Sequence, residues 1–239
     1  MKAATSRRSA EARVFDLSTV TVRDLNAALH APDAGSHPYW RVLNPKGRHA
    51  IAAGIDADVT VEVEGHVGYY CAGMNKRATV IIHGNAGVGV AENMMSGRVH
   101  VRGDASQSAG ATGHGGLLVI DGNAAARCGI SMKGVDIVVK GSIGHMSAFM
   151  AQVGNLVVLG DAGDALGDSI YEARLFVRGQ AKSLGADCIE KEMRDEHRAL
   201  LHGLLESAGI AGEVDVAAFR RYGSARKLYT FHVDHASAY

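Results

Sequence analysis

The chain has 239 residues, 47% of them hydrophobic, with 25 basic and 25 acidic side chains and a formal charge of zero. That balance supplies no surplus of cations for nucleic acid or an anionic membrane surface, and no apolar run nears the ~18 residues that span a bilayer. Three cysteines make no disulfide framework and fit a reducing cytoplasm, while 30 glycines against 3 prolines in an apolar chain exclude disorder and point to glycine used for backbone geometry.

The first residues, MKAATSRRSAEARVF, are basic and small but lack the apolar core of a signal peptide, and they read as a loose tail. Residues 14–30, VFDLSTVTVRDLNAALH, predict a short lead-in and a helix, with Thr21 as N-cap and Asp24 completing a capping box. Residues 1–37 are therefore assigned to an N-terminal tail and helix. Residues 38–59 predict irregular first coils of the element that follows.

From residue 60 a fixed period appears. Gly65, Gly84, Gly103, Gly122, Gly141, Gly160 and Gly179 each close a β-branched run, always nineteen residues apart. Two before each glycine lie Val63, Ile82, Val101, Ile120, Val139, Val158 and Val177; four before lie Val61, Val80, Val99, Leu118, Ile137, Leu156 and Leu175. Both columns are apolar without exception, as the inward face of a strand with period two must be. Seven after each glycine the residue is always Ala or Gly. Nineteen residues are too few for a helix–turn–helix unit but suit one coil of a right-handed parallel β-helix. Seven coils stacked at the strand spacing make a column roughly 34 Å long. The β-helix is assigned to residues 38–186, with the recurring glycine supplying bends of positive φ or close backbone approach.

The second coil contains VIIHGNAGVGVAENMMSG, residues 80–97, which opens like a phosphate loop. The dinucleotide fingerprint fails there, because Glu92 puts a carboxylate where phosphate should sit. Gly84 and Gly87 are read instead as corner residues. Cys71 and Cys128 share a column but lie three coils, roughly 14 Å, apart, beyond disulfide or shared-metal reach. His66, His83 and His100 slide two residues per coil against the repeat, so they predict solvated histidines and no zinc triad. Asp161, Asp164 and Asp168 lack calcium-loop spacing and read as turn formers. G-x-S-x-G, C-x-x-C and H-E-x-x-H are absent, and no catalytic constellation is expected.

On the outward face, three before the glycine, Val119, Val138, Val157 and Phe176 make an apolar stripe across four consecutive coils. Such a stripe needs a cover, either the chain's own terminal helix or a partner protein. Residues 187–239 are assigned to a C-terminal helix and docking arm. EKEMRDEHRALLHGLLESAGI carries an apolar side of Met193, Leu200, Leu201, Leu204 and Leu205, and FRRYGSARKLYTFHVDHASAY mixes aromatic and basic residues. Candidate interface residues are the stripe, Tyr69 and Tyr70 of coil one, the segment Glu92, Asn93, Met94 and Met95, and Phe219, Tyr222 and Tyr229 of the arm. Truncation after about residue 215 is expected to leave the β-helix folded while weakening assembly.

The coils GDASQSAGATGHGGLLVIDGNAAARCGISMKGVDIVVKGSIGHMSAFM resemble the C-terminal GXGXG domain of glutamate synthase large subunits, a parallel β-helix. With VGYYCAGMN and AENMMSG, the chain is most similar to that domain's stand-alone relatives, the small β-helix subunits of N-methylglutamate synthase (methylamine–glutamate N-methyltransferase). The resemblance implies a chain without catalytic residues, cofactor or metal. It implies hetero-oligomeric partners: an amidotransferase-like subunit and a synthase-like subunit holding FMN and an iron–sulfur cluster. The β-helix would brace the two and shape the passage between them. The β-helix subunits of formylmethanofuran dehydrogenase and of the formyltransferase/hydrolase complex carry similar coils, so a one-carbon formyl-transfer complex stands as the alternative.

Overall fold

The computed structural model describes residues 12–226. Its strands form one ladder in the order β1-β2-β3-β4-β5-β6-β7-β8-β9-β11-β10, where β1 is Arg13–Asp16, β2 Tyr39–Leu43, β3 Thr60–Val63, β4 Thr79–Ile82, β5 Arg98–Val101, β6 Leu117–Ile120, β7 Lys133–Val139, β8 Val153–Val158, β9 Arg174–Val177, β10 Cys188–Lys191 and β11 Arg220–Ser224. All pairings from β1 to β9 are parallel, so the chain is a β-solenoid. The two α-helices among the described residues are α1, Val22–Leu29, and α2, Asp195–Ser207.

The register is the period made visible. Thr60 faces Thr79, Thr79 faces Arg98, and the series continues through Leu117, Asp136 and Asn155 to Arg174. Both inward columns are completely buried in every coil, each at 0% exposure. A second ladder runs up the column just past the corner glycine through single bridges, Val67 to Ala86 to Ala105 to Ala124 to Ile143 to Ala162 to Ala181. The first turns are longer than nineteen, since Arg13 faces Trp40 and Tyr39 faces Thr60. The irregular start expected for residues 38–59 is thus present, but β1 extends the ladder further back than the repeat alone suggested.

Glycine and positive φ separate into different columns. Of the seven coil-closing glycines only Gly65 has positive φ. Gly84 is required by close approach: a Cβ there would stand 2.7 Å from the Gly65 carbonyl carbon and 2.8 Å from its oxygen. The left-handed bends fall five, seven and nine residues later, as at Tyr70, Ala72 and Met74 of coil one and Gly89, Ala91 and Asn93 of coil two.

Both ends of the column are closed by the chain itself. Thr21 caps α1 reciprocally with Asp24, as the capping-box pattern predicted. Leu25 and Leu29 of α1 join the same core as Trp40. Asn26 on the same helix donates to Ala50 O at 2.8 Å and accepts from Ala52 N at 3.0 Å, satisfying backbone groups that the first coil would otherwise leave unpaired. At the other end β11 pairs with β9, and along the outward side of the later coils α2 lies over the apolar stripe. Leu201, Leu204 and Leu205 pack with Val119, Val138, Val157 and Phe176, and all four stripe residues are fully buried.

This overturns the stripe as an open interface: Val119, Val138, Val157 and Phe176 are covered from within, because α2 supplies leucines at the spacing that matches them. The arm needs the same correction. Arg220–Ser224 enters the sheet as an antiparallel strand between β9 and β10, with Tyr222 opposite Leu175. Phe219 and Tyr222 are 5% and 3% exposed, so neither presents a docking surface. Tyr229 lies outside the described residues. Truncation after residue 215 would remove a strand from inside the ladder, so the structure argues against a β-helix that survives it intact.

Candidate interaction surface

The strands turn inward their apolar residues and outward an alternating set whose character changes along the column. Over β6 to β9 its central column, Val119, Val138, Val157 and Phe176, is apolar and lies under α2. Over β2 to β5 the same column holds Arg41, Glu62, Ile81 and His100, three of them polar. Arg41 Nε donates to Glu64 Oε1 at 2.8 Å, and His83 Nε2 lies 3.6 Å from Glu62 Oε2. Further along, Asp121 receives His100 Nε2 at 2.9 Å, Arg102 Nη1 at 3.2 Å and Lys140 Nζ at 2.7 Å. Burial pulls the His100 imidazole below its usual range, against the opposing effect of the hydrogen bond that Asp121 accepts from it. Burial alone would raise the Asp121 carboxyl, but its hydrogen bonds from Lys140 and His100 outweigh that and lower it. Arg98 Nη1 donates to Ser207 O at 2.7 Å, so a cation meets the carbonyl end of α2 where the helix stops.

The three histidines do separate work. His66 Nδ1 accepts from Asn85 N at 2.9 Å, His83 stands beside Glu62, and His100 belongs to the Asp121 group. Asp161 and Asp164 hold turns together: Asp161 accepts from Gln180 N at 2.8 Å, and Asp164 pairs with Lys182 at 2.7 Å. Asp168 accepts from the neighbouring Ser169 hydroxyl at 2.8 Å. All three cysteines are free and buried. Burial pushes the Cys71 and Cys128 thiols up to about 12 and Cys188 to about 11, so none offers the thiolate that ligation or nucleophilic attack requires.

One column escaped the sequence reading. The residue after each coil glycine, His66, Asn85, Asp104, Asn123, Ser142, Asp161 or Gln180, forms a polar ladder up the corner. Each side chain from His66 to Asp161 accepts from the backbone N–H of its counterpart one coil on, at 2.7 to 3.0 Å. The residues share no charge or size, only an acceptor atom at the right height. That shared acceptor is the signal that could have found it.

The bend between the two ladders bears the exposed apolar side chains of the early coils. Tyr69 is 54% exposed and Val88, one coil on in the same column, 47%; Met74 and Met95 are 48% and 43%. Tyr69 packs its ring against His49, centroids 4.2 Å apart and planes tilted by 33°, and its backbone N–H donates to His49 Nδ1 at 3.1 Å. Tyr70, Glu92 and Asn93 are half-buried there, and Asn93 accepts from the Thr112 hydroxyl at 2.7 Å. Glu92 folds its carboxylate back over Gly89, into the bend that a phosphate would have needed. Met94 is fully buried and belongs to the core, so of the segment 92–95 it cannot be a contact.

Among the described residues no helix is long and apolar enough to cross a membrane. No family model matches the chain. Protein GlxC of Rhizobium meliloti (strain 1021) is 66% identical to it over 227 residues, which cover 95% of this chain and 99% of that protein.

Proposed function

The chain belongs to the GlxC family, and from that premise we propose that it is the β-solenoid subunit of a glutamate synthase-like, flavin-dependent complex. The reading takes its support from the resemblance of the coils to the glutamate synthase GXGXG domain and from one structural observation. The apolar outward stripe is covered by the chain's own helix, whereas Tyr69, Met74, Val88 and Met95 on the bend of the first two coils remain exposed. Large apolar side chains held on a rigid column are what a partner subunit's core contact requires.

The complex acts as an N-methylglutamate synthase, converting methylamine and L-glutamate to N-methylglutamate and ammonia. An amidotransferase-like subunit and a barrel subunit carrying FMN and an iron–sulfur cluster do the chemistry. This chain contributes shape: it spaces the two partners at a fixed separation and closes the passage between them to water. Two sets of its polar groups have structural roles, the Asp121 carboxylate with His100, Arg102 and Lys140 and the corner side chains with backbone amides.

Co-expression of the chain with the two partner subunits tests this. N-methylglutamate should form from methylamine and L-glutamate only when all three co-purify, with FMN on the barrel subunit. Undiminished turnover by the partners without this chain would overturn the reading.

A further inference from the structure

Glu62 and Glu64 stand two residues apart and therefore on one face, and His83 lies one coil from Glu64 in the same column. Such a triangle has sides of roughly 7 Å along the strand and 4.8 Å across it, short enough for two Glu side chains and an imidazole to converge above its centre. Here they do converge: one donor atom from each lies within 4.8 Å of the other two. Glu62 Oε2 and His83 Nε2 are 3.6 Å apart, too far for a good hydrogen bond. A tetrahedral zinc ion with bonds of about 2.0–2.1 Å spans roughly 3.3 Å between an oxygen and a nitrogen, which is close to that gap.

Charge supports the same conclusion. Two carboxylates share the patch, and the cation bound to them is Arg41, which engages Glu64 alone. Its Nε fixes one Glu64 oxygen at 2.8 Å and leaves the other to bind elsewhere, the arrangement by which an outer partner orients a ligating carboxylate. Glu64 also borders an open groove of about 410 Å³ formed with Asn44, Pro45, Lys46, Gly47, Gly65 and His66. A metal here would keep a solvent-facing position for water or for a side chain brought by a partner.

We propose that Glu62, Glu64 and His83 form a binding site for a zinc-class divalent metal on the outward face of the first two coils. The donor set is two oxygens and one imidazole nitrogen, carried on or just past the neighbouring strands β3 and β4, whose inward residues are fully buried, so side-chain rotation alone would bring the donors from their present spacing to ligating distance. The site is independent of the proposed chemistry of the complex, because it lies on this chain alone.

The test is titration of the untagged full-length chain with Zn²⁺ in competition with a chromophoric chelator, followed by Co²⁺ for its visible absorption. One tight equivalent is expected. His83→Ala and Glu62→Gln should each weaken it at least roughly tenfold, and His202→Ala, an exposed histidine on α2, should leave it unchanged. Since His83 and Glu62 are partly exposed, these variants should keep the parental melting temperature. A chain that binds no Zn²⁺, or binds it equally well after His83→Ala, overturns the site.

Discussion

At the scale of single residues the fold rests on a division between two small amino acids. Gly84 has ordinary φ but no room, since any Cβ would press on the Gly65 peptide. Ala91 has room but sits at φ 57, where an L-residue is strained by roughly 1–2 kcal/mol. The equivalent bend position is glycine in other coils, at Gly110 and Gly129. Gly84→Ala should therefore destabilise by about 1–3 kcal/mol through backbone displacement. Ala91→Gly should be neutral or stabilising by up to about 1 kcal/mol, despite the extra chain entropy of glycine. Urea unfolding of the pair checks this; equal losses in both variants would show that tight packing, and not backbone conformation, selects the small column. The corner ladder belongs to the same scale. Asn123 donates its N–H to Asp104 and accepts from Ser142, so each member is both guest and host.

Elements succeed or fail here by whether their neighbours are periodic. The strands β3 to β9 were legible because each inward position repeats every nineteen residues, and averaging over seven copies hides no exception. Helix α1 was legible from Thr21 and Asp24, a local pattern that needs no tertiary partner. The fate of Phe219 and Tyr222 was not, because FRRY is a β-strand only when β9 and β10 flank it, and no repeat announces an antiparallel insertion. The Glu62, Glu64 and His83 group was missed for a related reason: its members lie in two coils and belong to two outward columns of mixed chemistry, where no type recurs. The corrected view of the C-terminus makes a prediction. Removal of residues 216–239 should strip β11 from between β9 and β10 and expose the edge of the last coil. The melting temperature should fall by at least roughly 5 °C, as expected for a loss of about 2 kcal/mol in a domain of this size. An unchanged melt would mean that β10 and α2 close the column without it.

The molecule as a whole is a rod that covers its own weak points at both ends and along one side. Asn26 and Trp40 finish the N-terminal coil, β11 and β10 finish the other end, and α2 covers the side. Among the described residues, exposed large apolar side chains gather on the bend of coils one and two, at Tyr69, Val88, Met74 and Met95, while Val14, Met150, Val153, Leu184 and Ile189 are exposed elsewhere. A scaffold subunit should meet its partners at that bend and should change little internally on meeting them. Hydrogen–deuterium exchange of the chain, free and within the co-purified complex, measures this directly. Strand amides of β3 to β9 should be slow to exchange in both states, while amides over residues 66–76 and 86–96 should gain protection in the complex. If protection instead appears only along α2 and β11, or not at all, partners dock elsewhere and the scaffold reading of this face is wrong.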